Sequence, residues 1–145
     1  MSEKIIYTDM VADLLHYGHL DYLNQIYNRL IKNTNNKFYV GIHNNQDVQV
    51  YKRNPILSME ERIKILEYFP LIDKIIPNAP VSIEEDYIKL HQINVLCMPK
   101  NRTQEEINLM YSIPLKLGVE IEYFNYNEKI STSNIIQRIK NRDDI

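Results

Sequence analysis

The chain has one cysteine, Cys97, among 145 residues, which excludes an intramolecular disulfide and a cysteine-rich zinc site. Cys97 lies in the apolar run "INVLCM", where a small buried residue is expected rather than a nucleophile. No charge of either sign dominates. The formal net charge of -2 lacks the basic excess that broad nucleic-acid binding requires, so no nucleic-acid partner is expected. There is also no apolar run of membrane-spanning length. The start "MSEKIIYTDM" has neither the basic head nor the cleavage site of a secretory leader, and a cytoplasmic location is the default. Internal repeats, low-complexity tracts and convincing linkers are missing as well, and 145 residues accommodate one core; one domain over residues 1–145 is expected.

What is present alternates. "KIIYT" (4–8), "KFYVGIH" (37–43), "DKIIP" (73–77), "INVLCM" (93–98) and "VEIEYF" (119–124) are short, apolar and rich in β-branched residues, as buried strands are. Between them "GHLDYLNQIYNRLIK" spaces Leu20, Leu23, Tyr27 and Leu30 as one helical face. "SMEERIKILEYF" starts with the capping-box pair Ser58 and Glu61. Further helices are expected from Ser82, from about Thr103 to Leu117 before Gly118, and over "STSNIIQRIKNR". Strands separated by helices imply a doubly wound, Rossmann-like α/β sheet of about five parallel strands, with ligands beyond the strands' carboxyl ends. The stretch 44–58 reads as a long irregular loop.

One of only three glycines stands in "HYGH", residues 16–19, where strand gives way to helix. His16 and His19 are three apart, so both rings can face one side of the helix start, and Gly18 allows close backbone approach. Free N–H groups and the helix dipole favour phosphate there, and imidazoles can donate to oxygens that gain charge in a transition state. The commoner use of such a pair is structural, with His16 as a cap and His19 in the core. In "STS", Ser131 is a natural cap, and Thr132 and Ser133 add hydroxyls to the first turn. Lys52 and Arg53 lie in the long loop; Arg62, one turn into its helix, offers either a fork for phosphate oxygens or an ordinary surface pair. His43 and His91 have no acidic or cysteine partners at metal-ligand spacing, so no protein metal site is expected.

"YTDMVADLLHYGHLDYL", "YKRNPILSMEERIKIL", "DKIIPNAP" and "ISTSNIIQRI" occur in that order over nearly the whole chain. Together they resemble the HxGH nucleotidyltransferases, specifically the cytidylyltransferases acting on phosphocholine, phosphoethanolamine or glycerol phosphate. The resemblance implies transfer of CMP from CTP to a small phosphorylated alcohol, releasing pyrophosphate, with Mg²⁺ bound mainly through the nucleotide. It implies catalysis by His16, His19, Lys52 and Arg62, and nucleotide contacts from Val11, Ala12, His16, Gly18, His19, Ser131, Thr132 and Ser133. Lys52 and Asp13 would hold the phospho-substrate, and a homodimer would pair partly through residues 69–75. Departures from the pattern are Met10 for a glycine, Ala12 for a phenylalanine, Asn125 or Tyr126 for an arginine, Met98–Pro99 for His-Asp or Gly-Asp, and Pro70 for an arginine. Val81 replaces an aromatic residue, which weakens the case for a quaternary ammonium. Ethanolamine phosphate is the acceptor expected first; a nucleotide-binding relative without turnover and an ATP-using transferase are the alternatives.

Overall fold

A computed structural model describes residues 2–145. Its five strands are β1 (Ile5–Met10), β2 (Lys37–Ile42), β3 (Lys74–Ile76), β4 (Ile93–Pro99) and β5 (Glu120–Phe124). They form one all-parallel sheet in the order β3-β2-β1-β4-β5. The central strand β1 is buried at every position from Ile5 to Asp9. Parallel strands are covered on both faces, so their sequences read as continuous apolar runs rather than alternating ones. The edge strands are weaker: β3 has three residues and β5 only one buried position, Phe124.

Five helices connect the strands, α1 (Tyr17–Ile26), α2 (Asn45–Tyr51), α3 (Met59–Leu66), α4 (Glu85–His91) and α5 (Gln104–Lys116), and α6 (Thr132–Lys140) follows the last strand. A wider π turn at Tyr27–Ile31 extends α1. Two apolar clusters show the layers. Tyr22, Leu23 and Ile26 of α1 and Leu66 of α3 pack with Ile6, Phe38 and Val40 on one face. Ile88 of α4 and Met110 and Tyr111 of α5 pack with Tyr7, Leu96 and Met98 on the other. Each such side chain contributes about 1.5–3 kcal/mol on burial, and no helix is stable without its face of the sheet.

The expected doubly wound sheet of five parallel strands is present, and the capping signals hold. Ser58 Oγ accepts from Glu61 N (3.1 Å), and Glu61 Oε1 accepts from Ser58 N (2.9 Å). Gly118 takes φ +74° just after α5. Two expectations need correction. The stretch 44–58 is not all loop: α2 occupies its first half, because Asn44 Oδ1 accepts from Asp47 N at 2.7 Å and nucleates the turn. The fourth helix opens at Glu84 rather than Ser82, whose Oγ donates instead to the Leu109 carbonyl of α5. Among the described residues, no helix is long and apolar enough to cross a membrane.

Candidate functional site

The strand order reverses direction between β1 and β4, and the loops leaving the two strands part there. A crevice at the carboxyl ends is the geometric consequence. A cavity of about 450 Å³ fills it, the size of a small-molecule site. Its walls come from the ends of β1, β2 and β4, from α2 and from the start of α6.

The β1–α1 loop carries backbone strain. Ala12 (φ 57°) and Leu14 (φ 49°) are left-handed without being glycines, a conformation that costs about 1–2 kcal/mol each. Met10, by contrast, ends β1 with ordinary strand backbone that needs no glycine, and its side chain stands in the cavity wall. Neighbouring groups hold the strained loop. The Asp13 carboxylate accepts the backbone N–H groups of Ile56 (2.7 Å) and Leu57 (3.0 Å), and its carbonyl accepts from Thr132 Oγ1 (2.7 Å). The Arg62 guanidinium is almost wholly buried and donates to the carbonyls of Val11 (2.6 Å), His43 (2.8 Å) and Leu57 (3.3 Å) and to Asn45 Oδ1 (2.6 Å). Its donors are engaged by the chain and it does not wall the cavity, unlike the phosphate fork or surface pair expected of it. Asp13 borders the cavity, but with both oxygens tied to the 56–57 backbone.

The two histidines cap α1 reciprocally. His16 Nδ1 accepts from Gly18 N (3.1 Å), and His19 Nδ1 accepts from His16 N (3.1 Å). A ring nitrogen that accepts carries no proton, so in each neutral ring the N–H must be on Nε2. The rings stack with centroids 3.8 Å apart. Burial lowers the pKa of His16; burial and the His16 ring take that of His19 down to about 3. Both therefore remain neutral donors at physiological pH. His19 walls the cavity; His16 and Gly18 are not in its wall, and His16 Nε2 is buried and unpartnered. The structural reading of "HYGH" holds, and the cap fixes the tautomer of both rings.

Gly18 is required by this packing. A Cβ there would lie 2.9 Å from His16 Cε1 and 3.0 Å from Ile130 Cγ2. Val11, Ala12, Ser131, Thr132 and Ser133 all reach the cavity wall, with Ser131 Oγ capping α6 by accepting from Asn134 N. Arg53 Nη1 donates to Ser133 Oγ (3.0 Å), tying the α2 end to the α6 start. Lys52, just after α2, points its ammonium along the Tyr51 ring, and desolvation with the field of Arg102 lowers its pKa.

Asp9, Tyr51 and Arg102 stand in the wall and were not singled out from sequence, while His43 and Tyr126, also in the wall, were named there without a site role. Asp9 Oδ1 accepts from Tyr111 Oη (3.1 Å), while Oδ2 lies 3.7 Å from His43 Nε2. His43 Nδ1 faces the Ala79 carbonyl (3.0 Å) and, as that oxygen can only accept, carries the proton. Arg102, in the β4–α5 loop, bonds Glu106 through Nη1 (3.3 Å). Burial would lower its pKa, but Tyr111, Asp9 and Glu106 hold it above the ordinary value. The only signal for these residues was position: Asp9 and Arg102 lie at or just after the carboxyl ends of neighbouring strands. Among the described residues there is no group of three or more His, Cys, Asp or Glu placed to hold a metal.

Comparison with known proteins agrees with this geometry. A family model described as cytidylyltransferase-like matches residues 8–138. Choline-phosphate cytidylyltransferase 2 of Arabidopsis thaliana is 27% identical over 137 residues, 92% of this chain and 44% of that protein. The ethanolamine-phosphate cytidylyltransferase of Dictyostelium discoideum is 28% identical over 143 residues, 95% of this chain and 38% of its own length. A bifunctional protein HldE of Yersinia pestis (strain Pestoides F) is 25% identical, with 97% and 28% covered. The chain thus spans less than half the length of these relatives. A lipopolysaccharide core biosynthesis protein from Thermoplasma volcanium GSS1 shares the fold at a TM-score of 0.67 and 16% identity, over 88% of this chain and 98% of that one.

Proposed function

Because the chain belongs to the cytidylyltransferase-like family, we propose that it transfers CMP from CTP to a small phosphorylated alcohol. A phosphate oxygen of the acceptor attacks the α-phosphorus in line, the bond to the bridging oxygen breaks, and pyrophosphate leaves. No covalent enzyme intermediate is required, so catalysis reduces to positioning and charge stabilisation.

The observation that carries this reading is the pair of neutral imidazoles at the start of α1, each locked with N–H on Nε2 by the other half of the cap. Donors fixed before substrate arrives need no reorganisation as charge builds on the departing phosphates. Ser131, Thr132 and Ser133 bring hydroxyls at the start of α6 to the same cavity. Lys52 supplies the mobile cation for the acceptor phosphate. Arg62 and Asp13 serve by holding the loop that shapes the site. Mg²⁺ would come as an ion carried by the triphosphate, where it would neutralise charge. A homodimer through residues 69–75 is part of the same proposal.

Purified protein with CTP, Mg²⁺ and a panel of phospho-alcohols is expected to release pyrophosphate, and His16→Ala and His19→Ala to abolish most of that rate. No turnover across the panel by a normally folded protein sinks the transferase reading. CTP binding by calorimetry would then mark a nucleotide-binding relative without turnover. Competition of CTP against ATP in a thermal-shift assay tests the base.

A further inference from the structure

The start of α6 presents hydroxyls to the cavity but no charge of its own. Tyr126, Ser131, Thr132 and Ser133 line that part of the wall, while Lys129 between them does not. Two of the hydroxyls are engaged by the chain: Ser131 Oγ accepts from Asn134 N (3.0 Å), and Thr132 Oγ1 donates to the Asp13 carbonyl (2.7 Å). The cation comes from another element. Arg53, just past α2, donates from Nη1 to Ser133 Oγ at 3.0 Å across 80 positions of chain, and both residues stand in the wall. The other arginine in the wall, Arg102, is paired with Glu106. Arg53 has no carboxylate partner among the described residues and makes this one hydrogen bond, which leaves most of its five N–H donors open.

Its neighbour Lys52 is directed elsewhere. The backbone at Lys52 is extended (φ −138°, ψ −175°), which sends successive side chains to opposite sides, and Lys52 Nζ lies over the Tyr51 ring at 5.6 Å. Two consecutive cations therefore face different parts of one wall. Arg53 is exposed whereas His19 is buried, so the guanidinium stands on the solvent side of the cavity, where the outer end of a nucleotide's phosphate chain would lie. A planar fork suits phosphate oxygens, taking two at once. We propose that Arg53 binds the outer phosphates of the nucleotide beside the Ser133 hydroxyl and so makes the site select a triphosphate over a monophosphate. This rests on the nucleotidyl-transfer reading and gives a role to a residue that had none. It also meets one departure from the family pattern: where an arginine is expected at Asn125 or Tyr126, the wall has the phenol of Tyr126, and Arg53 brings the charge from across the cavity.

The test is calorimetric binding of CTP and of CMP, each with Mg²⁺, which needs neither acceptor nor turnover. Arg53→Ala is expected to weaken CTP about tenfold or more and to leave CMP within about twofold of the parent. Arg53→Lys keeps the charge without the fork and should fall between. Arg53→Gln keeps a neutral donor for Ser133 and should bind CTP as poorly as the alanine variant. All three should melt near the parent, since the side chain is exposed. In initial-rate measurements Arg53→Ala should raise the KM for CTP and leave that for the acceptor unchanged. The proposal is overturned if Arg53→Ala binds CTP as the parent does, if CTP and CMP weaken alike, or if the glutamine variant matches the parent, because Arg53 would then only fasten α6 to α2. Such a result in a parent that binds CTP and releases pyrophosphate removes this assignment alone. A folded parent that binds no CTP brings down the transferase reading and the assignment with it.

Discussion

His16 and His19 stack at 3.8 Å while each uses Nδ1 to accept a backbone N–H at the start of α1. A helix cap is thereby also a tautomer lock. Removing either donor is expected to lower kcat on the order of 10²- to 10³-fold, the cost of one preorganised hydrogen bond to a developing charge. His19→Gln should keep the cap, since glutamine at that position can still accept from the His16 N–H. Pyrophosphate release and thermal melting of the three proteins separate the two roles: the glutamine variant melts near the parent yet loses rate.

The same burial sets a pH dependence. The folded pKa of His19 lies at about 3 against 6.5 for the free side chain, so below 6.5 the unfolded chain takes up a proton that the folded chain refuses. Its contribution is therefore fully present above pH 6.5 and is lost as pH falls towards 3, at about 1.4 kcal/mol per unit. Burial lowers the pKa of His16 too, so it acts in the same direction. Urea unfolding at pH 7 and pH 5 should show a loss that is smaller in His19→Gln.

Gly18→Ala should be a catalytic lesion more than a folding one. The new Cβ would stand 2.9 Å from His16 Cε1 and 3.0 Å from both His16 Nδ1 and Ile130 Cγ2. The His16 ring must turn, and the cap that fixes its tautomer goes with it. A fall in kcat of at least tenfold is expected, with CTP affinity reduced less and helical content unchanged by circular dichroism.

Arg62→Ala strips four acceptors of their donor. Each buried acceptor left alone costs about 1–3 kcal/mol, so a loss of more than about 3 kcal/mol in urea unfolding is expected. Arg62→Lys cannot reach four acceptors from one ammonium and should recover only part. If either variant instead kept its stability and lost only CTP affinity, the guanidinium would have to face phosphate after all.

Lys52 is the counterpart in the cavity wall, with its ammonium over the Tyr51 ring. Lys52→Ala should raise the acceptor KM on the order of 10- to 100-fold, the value of one hydrogen bond between charged groups, with stability unchanged. Initial rates at saturating CTP against acceptor concentration give the measurement.

Much of this was legible before any coordinates. The strand and helix runs carry their own periodicity, and Ser58–Glu61, Thr103, Ser131 and Gly118 are local signals that act within one turn of chain. The α2 helix was missed because "NNQDVQV" has no apolar stripe and only Val48 is buried. Arg62 and Asp13 were legible as polar residues near the site, yet their partners lie 51 and 43 residues away, beyond any local pattern.

Sequence alone therefore determined the alternation, the caps and the place of "HYGH" after its first strand, which depend on near neighbours, and the alternation in turn implied a parallel sheet through its helical crossovers. Only the folded chain decided that the backbone at Met10 needs no glycine, that Arg62 braces a strained loop, and that Asp9 and Arg102 stand in one cavity wall. The last of these depends on β1 and β4 becoming neighbours across 82 intervening positions, between Met10 and Ile93. Pairing at that distance is set by the whole core, and a local pattern does not encode it.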